Sequence, residues 1–405
     1  MEIKTDKEII ERILIKGVEQ ILPSEEFLKE LLESGKRIKI YQGFDPTADS
    51  LHIGHAAHLH KLEDFRKLGH HVICVIGDFT ARIGDPDKKS TRKQLTKEEV
   101  EKNMQSFREQ IGKILDIDNK ENPVEFRYNS EWLEELRFAD ILELSSKFSV
   151  QQMLKRDMFQ ERIKEDKPIY IHEFMYPIMQ AYDCVILDTD IELGGNDQLF
   201  NMLAGRHLMS ILKNKEKIVM TGKMLNTNEG KKMGKTEGNM IRMDDTPKDI
   251  FGKVMAFNDE MIIDGFEILT FATMEEVHKY QERLESGENP MILKKELALR
   301  VTTEITSEKE AQKAQKYFES IFQKQEQEVE IPNKEIVKEE IPLNDLLVQI
   351  NFASSKSEAK RLTEQGAVKI NDEKITQYNH ILNIKQLQPL MLKVGKKVCN
   401  ITYKS

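Results

Sequence analysis

The chain has 405 residues, which is too long for one ordinary hydrophobic core and predicts two or three domains. With 39% apolar and 32% charged residues, its composition is typical of a globular protein and excludes a fibrous or wholly disordered chain. The net charge of −9 does not by itself suggest a nucleic-acid-binding protein.

The first 243 residues alternate between strand and helix patterns. Short apolar or alternating runs predict strands at residues 37–41, 72–76, 124–128 and 217–220. Helical periodicity predicts helices within residues 1–36, at 51–68, 131–164 and 171–184, and from residue 198 onward. An apolar run at 185–187 and a Gly-Gly loop are expected between the last two of these helices. This alternation predicts an α/β fold with a doubly wound parallel sheet.

Beyond residue 243 the pattern changes to charged amphipathic helices, which predict a helical domain over residues 244–323. Residues 324–340 are polar and predict a linker. Residues 341–405 predict a small separate α+β domain, with helices at 342–353 and 354–365 and a strand at 366–371.

The last 65 residues are basic, whereas the rest of the chain is acidic. They contain ten Lys and Arg against five Asp and Glu, a net charge of +5, so the remainder carries −14. A basic terminal domain on an acidic body is expected when one end of a protein contacts nucleic-acid phosphates.

The three cysteines, Cys74, Cys184 and Cys399, are widely spaced and odd in number, which argues against both a zinc site and a disulfide framework. We therefore expect buried free thiols and no metal bound by the protein itself. The first thirty residues are charged, and no run of about 18 apolar residues occurs, so we expect no association with a membrane and a cytoplasmic location.

Residues 41–55, YQGFDPTADSLHIGH, form the first segment that indicates chemistry. Gly43 and Pro46 shape a turn where backbone can approach a ligand closely. His52 and His55 lie three residues apart at a helix start, where backbone N–H groups favour phosphate. Taken alone, such a pair is more often two surface histidines on an amphipathic helix.

Residues 230–236, GKKMGKT, form the second such segment. Three lysines within six residues, in a glycine-bearing loop, make a cationic cluster suited to a polyphosphate. Taken alone, this segment is more often a solvated basic loop.

Together the two segments resemble the paired signatures of the class I aminoacyl-tRNA synthetases. Residues 51–55 (LHIGH) match the HIGH signature, and residues 232–236 (KMGKT) are similar to the KMSKS loop, with Gly and Thr in place of its two serines. The resemblance implies that residues 1–243 form a Rossmann-type catalytic domain that uses ATP, with Mg²⁺, as a substrate. It further implies that residues 244–323 bind the anticodon, and that an insertion at about 128–167 joins two copies into a homodimer.

The reaction implied by the resemblance has no covalent enzyme intermediate, so positioning and charge stabilisation must supply the catalysis. The resemblance assigns catalysis to Thr47, His52, His55, Lys232, Lys235 and Thr236. It assigns ATP binding to Gly43, Asp45, Gly54, Gly195, Asp197, Lys88 and Arg92. The stretch around Lys88 is one residue shorter than the family pattern, so Lys89 is the alternative to Lys88.

Four segments resemble the tyrosine-specific branch of this family, which implies L-tyrosine and tRNA(Tyr) as partners. The residues they assign to tyrosine binding are Tyr41, Thr80, Asp85, Tyr176, Gln180, Asp183 and Gln198. In this resemblance Tyr41 and Asp183 hydrogen-bond the phenol hydroxyl of the substrate. A substrate that lacks this hydroxyl would leave the buried Asp183 without a partner, which is costly.

The basic C-terminal segment resembles an RNA-binding fold first known in a ribosomal small-subunit protein. Lys356, Lys360 and Arg361 would present their charges to RNA from its second helix. The alternative is a basic helical hairpin that does not bind RNA.

Two other functions fit parts of the sequence. The tryptophan-specific branch shares the fold, but Tyr41 and Asp183 argue against it. A non-catalytic RNA-binding protein on the same scaffold is expected to lose its ATP signatures, and here both signatures are intact.

Overall fold

The computed structural model describes residues 3–86, 94–225, 240–327, 333–371, 373–378, 380–387, 390–394 and 397–404. The chain divides into two compact units, Met1–Phe318 and Glu319–Ser405. Within the described ranges, no helix is both long and apolar enough to cross a bilayer. Cys74, Cys184 and Cys399 are all buried free thiols, as the sequence predicts.

The larger unit is built on a six-stranded sheet. Its strands are β1 (Val18–Leu22), β2 (Lys39–Phe44), β3 (His71–Ile76), β4 (Glu125–Tyr128), β5 (Ile191–Gly195) and β6 (Ile218–Gly222). Their order across the sheet is β1-β6-β5-β2-β3-β4. β1 is antiparallel to β6, and all other neighbours are parallel. β3 and β6 are apolar and buried almost throughout, as expected of strands covered on both faces.

The strand order reverses between β2 and β5. From β2 the chain proceeds outward through β3 and β4, whereas β5 and β6 lie on the other side of β2. Ligands of such sheets bind outside the carboxyl ends of the strands at the reversal. The predicted doubly wound parallel fold is therefore confirmed, and its crevice lies beyond β2 and β5.

Helices cover both faces of the sheet and then form the region after residue 243. They are α1 (Lys7–Ile15), α2 (Glu25–Glu33), α3 (Gly54–Lys67), α4 (Thr80–Ile83), α5 (Lys97–Met104), α6 (Phe107–Ile111), α7 (Ser130–Leu133), α8 (Phe138–Ser145), α9 (Val150–Met153), α10 (Asp157–Lys164), α11 (Met175–Leu187), α12 (Leu199–Lys213), α13 (Pro247–Met255), α14 (Met261–Leu269), α15 (Met274–Glu285), α16 (Pro290–Ile305) and α17 (Glu308–Gln327). Single 3₁₀ turns occupy Ile171–Phe174 and Asn196–Gln198. α13 to α16 pack on one another through an apolar core, so the helices predicted after residue 243 are present.

Three predictions about elements of the larger unit were wrong. Strand β1 was missed because residues 18–22 directly follow α1, and their apolar residues continue the helical pattern of α1. Gly17, with a φ of +62°, ends that helix. The helix predicted over 131–164 is four short ones, α7 to α10. Residues 185–187 belong to α11, which ends at left-handed Asp188, and the predicted Gly-Gly loop is the end of β5.

The smaller unit is an α+β domain with its own apolar core. Its elements are β7 (Asn333–Ile336), β8 (Glu340–Pro342), α18 (Leu343–Gln349), α19 (Lys356–Glu364), β9 (Val368–Ile370), β10 (Glu373–Ile375), β11 (Ile381–Asn383), β12 (Leu390–Val394) and β13 (Lys397–Tyr403). Five strands form a sheet in the order β10-β9-β12-β13-β7, and β11 pairs with β8.

Strand β7 lies inside the segment predicted as a linker, so that prediction was wrong for its residues. β7 pairs in parallel with the last strand, β13. Only Ile336 of its four residues is buried, so the sequence NKEI offered no alternating apolar signal. We propose that the C-terminal domain begins near residue 333 rather than at 341.

Candidate active site

One cavity of about 770 Å³ opens at the carboxyl ends of the central strands. Its lining includes every residue predicted to bind tyrosine, Tyr41, Thr80, Asp85, Tyr176, Gln180, Asp183 and Gln198. It also includes Gly43, Asp45, Thr47, His52, Gly54, His55, Gly195 and Asp197. Residues that are up to 157 positions apart in sequence are therefore brought together where the strand order reverses.

The remaining predicted residues of this site lie outside the described part of the chain. They are Lys88 and Arg92, with the alternative Lys89, and Lys232, Lys235 and Thr236. The described residues on either side do line the cavity: Asp85 and Leu95 flank the first gap, and Leu225 and Met240 flank the second. At both gaps, the described chain therefore stops and resumes close to this cavity.

Asp45, just beyond the end of β2, accepts two hydrogen bonds inside the cavity. Tyr176 Oη donates to its Oδ2 at 2.7 Å, and Thr80 Oγ1 donates to its Oδ1 at 2.8 Å. A Cβ at Gly77 would lie 1.9 Å from Asp45 Oδ1, so only glycine leaves room for this carboxylate. Asp45, predicted to bind ATP, therefore contacts two residues predicted to bind tyrosine.

Asp85 is held by three side chains, which come from the residue before α10, from the turn between β5 and α12, and from α12 itself. Arg156 Nη2 contacts its two oxygens at 2.8 and 3.0 Å. Gln198 Nε2 and Asn201 Nδ2 donate to it at 3.0 and 3.1 Å. The sequence predicted Asp85 and Gln198 here, but Arg156 and Asn201 were missed.

Asp183 lies on α11 and is 4% exposed. Trp132 Nε1 donates to its Oδ1 at 2.8 Å, and Asn129 Nδ2 donates to its Oδ2 at 3.4 Å. Burial raises the pKa of Asp183 well above its ordinary value, although these two hydrogen bonds act in the opposite direction. A buried carboxylate with two fixed donors can accept a further hydrogen bond from a ligand hydroxyl.

Tyr41, on β2, is 1% exposed and contacts residues of α11 and β5. Its Oη donates to Glu192 Oε1 at 2.6 Å and lies 3.1 Å from Cys184 Sγ. Gln180 Nε2 donates to the same Glu192 oxygen at 2.9 Å. Burial raises the pKa of Tyr41 well above its ordinary value, and the nearby Cys184 and Glu192 add to this effect.

The turn before α3 places two imidazoles at the start of that helix. The His52 and His55 rings are 4.0 Å apart between centroids. The Gly54 N–H donates to His52 Nδ1 at 3.1 Å, and a Cβ at Gly54 would lie 2.9 Å from the His52 ring. Gly54 is therefore needed to seat His52 against the helix N-terminus, where phosphate oxygens are favoured.

The same turn is tied to the chain that follows residues 226–239. Ile53 N donates to Ile241 O, and Met243 N donates to Leu51 O, both at 2.9 Å. His52 forms an isolated β-bridge with Arg242. Residues 241–243 are thereby held beside the first signature.

Several residues of the cavity region were missed by the sequence analysis: His58, Asn129, Trp132, Glu192 and Lys217. Of these, only His58 carried a signal, because it lies one helical turn after His55 on α3. Burial lowers the pKa of His58 to about 4, so its imidazole is neutral where it contacts Gln42 at 3.0 Å. The others are single polar residues in otherwise apolar or helical patterns.

In the smaller unit, α19 carries the three cations predicted to bind RNA. Lys356 pairs with Asp345 at 2.7 Å, and Lys360 and Arg361 lie 3.9 Å from Glu364 and Glu358. Their side chains are 68, 49 and 66% exposed. They stand on one solvent-exposed helix, each beside an acidic neighbour.

Among the described residues, no group of three or more His, Cys, Asp or Glu side chains is arranged to hold a metal ion. The cavity offers instead hydrogen-bond acceptors at Tyr41, Asp45, Asp85 and Asp183, and imidazoles at a helix N-terminus. Such a site suits a ligand with a hydroxyl and an ammonium group next to a polyphosphate.

Comparisons with known proteins agree with this geometry. Residues 33–323 match the family of class I tRNA synthetases (W and Y), and residues 323–398 match the C-terminal domain of SYY-like tyrosine–tRNA ligases. The tyrosine–tRNA ligase of Carboxydothermus hydrogenoformans is 43% identical over 98% of this chain and 97% of its own length. That of Thermotoga maritima is also 43% identical, over 95% of each chain.

Solved structures show the same fold at lower identity. A C-terminally truncated mitochondrial tyrosyl-tRNA synthetase of Aspergillus nidulans superposes with a TM-score of 0.66 at 22% identity, covering 78% of this chain and 95% of that one. The tyrosyl-tRNA synthetase of Archaeoglobus fulgidus, complexed with L-tyrosine, gives 0.60 at 20% identity, covering 76% and 99%. From its signatures, its cavity and its full-length relatives, this chain belongs to the class I tRNA synthetases, in the group of tyrosine–tRNA ligases.

Proposed function

We propose that the cavity beyond β2 and β5 is where the carboxylate of tyrosine attacks the α-phosphate of ATP. Membership of the family means that the chain activates tyrosine with ATP and charges tRNA. The observation that best supports this location is the presence of buried Tyr41 and Asp183 in the same cavity as the His52 turn.

At the tyrosine end, Tyr41 and Asp183 hydrogen-bond the phenol hydroxyl. Asp85, Tyr176 and Gln180 surround the ammonium group, and each side chain already makes a hydrogen bond or ion pair that holds it in place. Gln198 and Thr80 complete this part of the site. Fixed partners matter because side chains that do not reorganise lose less entropy when the substrate binds.

At the ATP end, Thr47 and His52 stabilise charge that develops on the departing pyrophosphate. His55, Gly43, Gly54, Gly195 and Asp197 line the nucleotide. A Cβ at Gly43 would meet no protein atom within 4 Å, so bare backbone at this position can approach a ligand closely. Contacts of this kind act on the rate when they are stronger in the transition state than in the bound substrate.

The two lysine segments are proposed to supply cations to the same pyrophosphate. Lys232, Lys235 and Thr236 lie between Leu225 and Met240, and Lys88 and Arg92 lie between Asp85 and Leu95; all four flanking residues line the cavity. Mg²⁺ is proposed to enter with ATP, bound mainly by the phosphates and water rather than by a protein cage.

The test is tyrosine-dependent pyrophosphate exchange, measured in parallel with tryptophan and phenylalanine. Exchange with tyrosine, abolished by Asp183→Ala together with tyrosine binding, supports this location of the reaction. Normal exchange in that variant would place the reaction elsewhere.

The smaller unit is proposed to bind tRNA(Tyr) through the exposed face of α19, with Lys356, Lys360 and Arg361 as contacts. On binding, RNA phosphates would replace the acidic partners of these cations, which are Asp345, Glu358 and Glu364. We also propose that the helices of residues 244–323 bind the anticodon.

A homodimer is proposed, joined through the segment around α8. This helix exposes Phe138, Ile141 and Leu142, which are 75, 36 and 55% exposed and lie on one helical face. An apolar face of this kind favours a second copy as its partner. Sedimentation of Phe138→Glu/Leu142→Glu as a monomer would support this, and an unchanged mass would refute it.

A cytoplasmic location is proposed because three free thiols suit a reducing compartment.

A further inference from the structure

Three side chains occupy Asp85, the carboxylate that is proposed to bind the ammonium group of the substrate. Arg156 Nη2 lies 2.8 and 3.0 Å from Oδ1 and Oδ2 of Asp85. Asn201 Nδ2 donates to Oδ1 at 3.1 Å, and Gln198 Nε2 donates to Oδ2 at 3.0 Å. Each oxygen therefore has two donor contacts, and a carboxylate offers about four such positions in all. An ammonium group that binds Asp85 has to take the place of one of these donors.

Of the three donors, Gln198 is the one that a ligand in the cavity can reach. Gln198 lines the cavity, whereas Arg156 and Asn201 do not. Arg156 and Asn201 are only 7% and 0% exposed, and the contact of Arg156 with Asp85 is an ion pair. A ligand in the cavity therefore leaves these two donors in place and displaces the amide group of Gln198.

Asn201 sets the orientation of the Gln198 amide group. The two hydrogens of Asn201 Nδ2 are both used, because this nitrogen donates to Asp85 Oδ1 and also to Gln198 Oε1, the latter at 2.9 Å. With its oxygen bound to Asn201, the Gln198 amide directs its N–H group to Asp85. The amide group therefore has a defined first partner that it must leave before it can bind a substrate.

The chemistry of an amino acid provides a second partner for this amide. Its ammonium and carboxylate groups are attached to the same carbon atom. When the ammonium group binds Oδ2 of Asp85, the carboxylate therefore lies close to the position that the Gln198 amide has left. The released N–H group can then donate to that carboxylate, so one hydrogen bond to a charged acceptor replaces another of the same kind.

We propose that Gln198 changes its partner when the substrate binds: the ammonium group displaces its amide from Asp85, and the released amide binds the carboxylate of the substrate. A ligand without the ammonium group leaves Gln198 on Asp85 and gains no contact from it. The pocket thereby selects an α-amino acid over a carboxylic acid that carries the same phenol. This inference rests on the proposed location of the ammonium group at Asp85.

The test compares three ligands of the full-length protein by isothermal titration. Tyrosine carries both groups, tyramine carries the ammonium group without the carboxylate, and desaminotyrosine carries the carboxylate without the ammonium group. Gln198→Met removes the amide group and keeps a side chain of similar length. Gln42→Met is the matched control, because Gln42 lines the same cavity but contacts His58 instead of Asp85.

Tyramine should bind Gln198→Met roughly tenfold more tightly than it binds the wild type, the lower end of the range for a hydrogen bond to a charged group. In the wild type, tyramine displaces the amide but offers it no carboxylate in return. Tyrosine should keep its wild-type Kd within about threefold, because the variant lacks both of the hydrogen bonds that are exchanged. Desaminotyrosine should bind both proteins equally. The Gln42→Met control should keep all three affinities at their wild-type values.

Gln198→Ser provides a second route if the methionine variant does not fold. Gln198 is the N-cap residue of α12, a position where serine is preferred. The serine side chain is much shorter than that of glutamine, so it does not take the place of the amide on Asp85. The same three results are expected for this variant.

The three ligands also separate failure of the inference from failure of the proposed site. Unchanged or weaker binding of tyramine in the two Gln198 variants would overturn the inference while leaving tyrosine activation in place. Weaker binding of desaminotyrosine in both variants would also overturn it, because the amide would then contact a carboxylate without any ammonium group. Equal affinity of the wild type for tyrosine and desaminotyrosine would overturn both the inference and the proposed role of Asp85.

Discussion

Replacing Asp183 should weaken tyrosine binding far more than ATP binding. Asp183→Asn keeps the side-chain volume and one oxygen for Trp132, but it turns an acceptor facing the substrate into a donor. A hydrogen bond to a charged group contributes about 1.5–3 kcal/mol, which corresponds to a roughly 10- to 150-fold increase in the Kd for tyrosine. The Kd for ATP should change by less than about twofold, because Asp183 lies at the opposite end of the proposed site.

Asp183→Ala should show the same selectivity and an additional loss of stability. It leaves the Trp132 indole N–H and the Asn129 amide without their acceptor in a buried place, which costs about 1–3 kcal/mol for each group. Isothermal titration gives both affinities, and urea unfolding gives the stability. Asp78→Asn is the matched control, because Asp78 lies near the carboxyl end of β3 and accepts hydrogen bonds from Ser130 outside the cavity. Unchanged tyrosine affinity in both Asp183 variants would refute the assignment.

Three other variants test separate parts of the molecule. Thr47→Ala/His52→Ala should slow tyrosyl-adenylate formation by orders of magnitude in stopped flow while tyrosine affinity barely changes; a loss of affinity instead would contradict a transition-state role. Removing residues 328–405 should preserve pyrophosphate exchange, raise the KM for tRNA and flatten its salt dependence, whereas an unchanged tRNA KM across a salt series would refute RNA binding by this unit. Burial lowers the pKa of His70 to about 4, below the ordinary value near 6.5, so stability should be lost as pH falls from about 6.5 to 4. The free energy of unfolding should fall by about 3 kcal/mol over this pH range because of His70. Urea unfolding at each pH measures it, and the His70→Asn variant should lack this part of the pH dependence.

The main elements, and many of the residues that line the cavity, could be predicted because their signals are local. β2 and β3 are short apolar runs, and each is followed by a turn whose glycines and acids are contiguous in sequence. Parallel strands place those turns at one edge of the sheet, which is why Asp45 and Asp85 line the same cavity.

The parts that were missed depend on register and tertiary contact. Glu192 is one acid in the run IELGG, and its partner Lys217 is 25 residues further along the chain. They meet only because β5 and β6 pair with Ile191 opposite Ile218. Trp132 lies in the stretch predicted as helical, and Asn129 lies just before it. Nothing in that pattern indicates that they face Asp183. β7 escaped detection for a similar reason, since its stability comes from pairing with β13 rather than from its own apolar residues.

The hydrogen bond from Trp132 to Asp183 also gives the protein an intrinsic fluorescent probe of this pocket. Trp132 is the only tryptophan among 405 residues, so light absorbed selectively by indole is emitted from this one position. Its N–H group donates a hydrogen bond, at 2.8 Å, to the Asp183 carboxylate that is proposed to bind the phenol hydroxyl. A substrate hydroxyl that draws on the same carboxylate changes the polarity around the indole, and the emission should follow. The rate of tyrosine binding can therefore be measured by tryptophan fluorescence in the unlabelled protein. Trp132→Phe, which lacks this fluorescence, is the control.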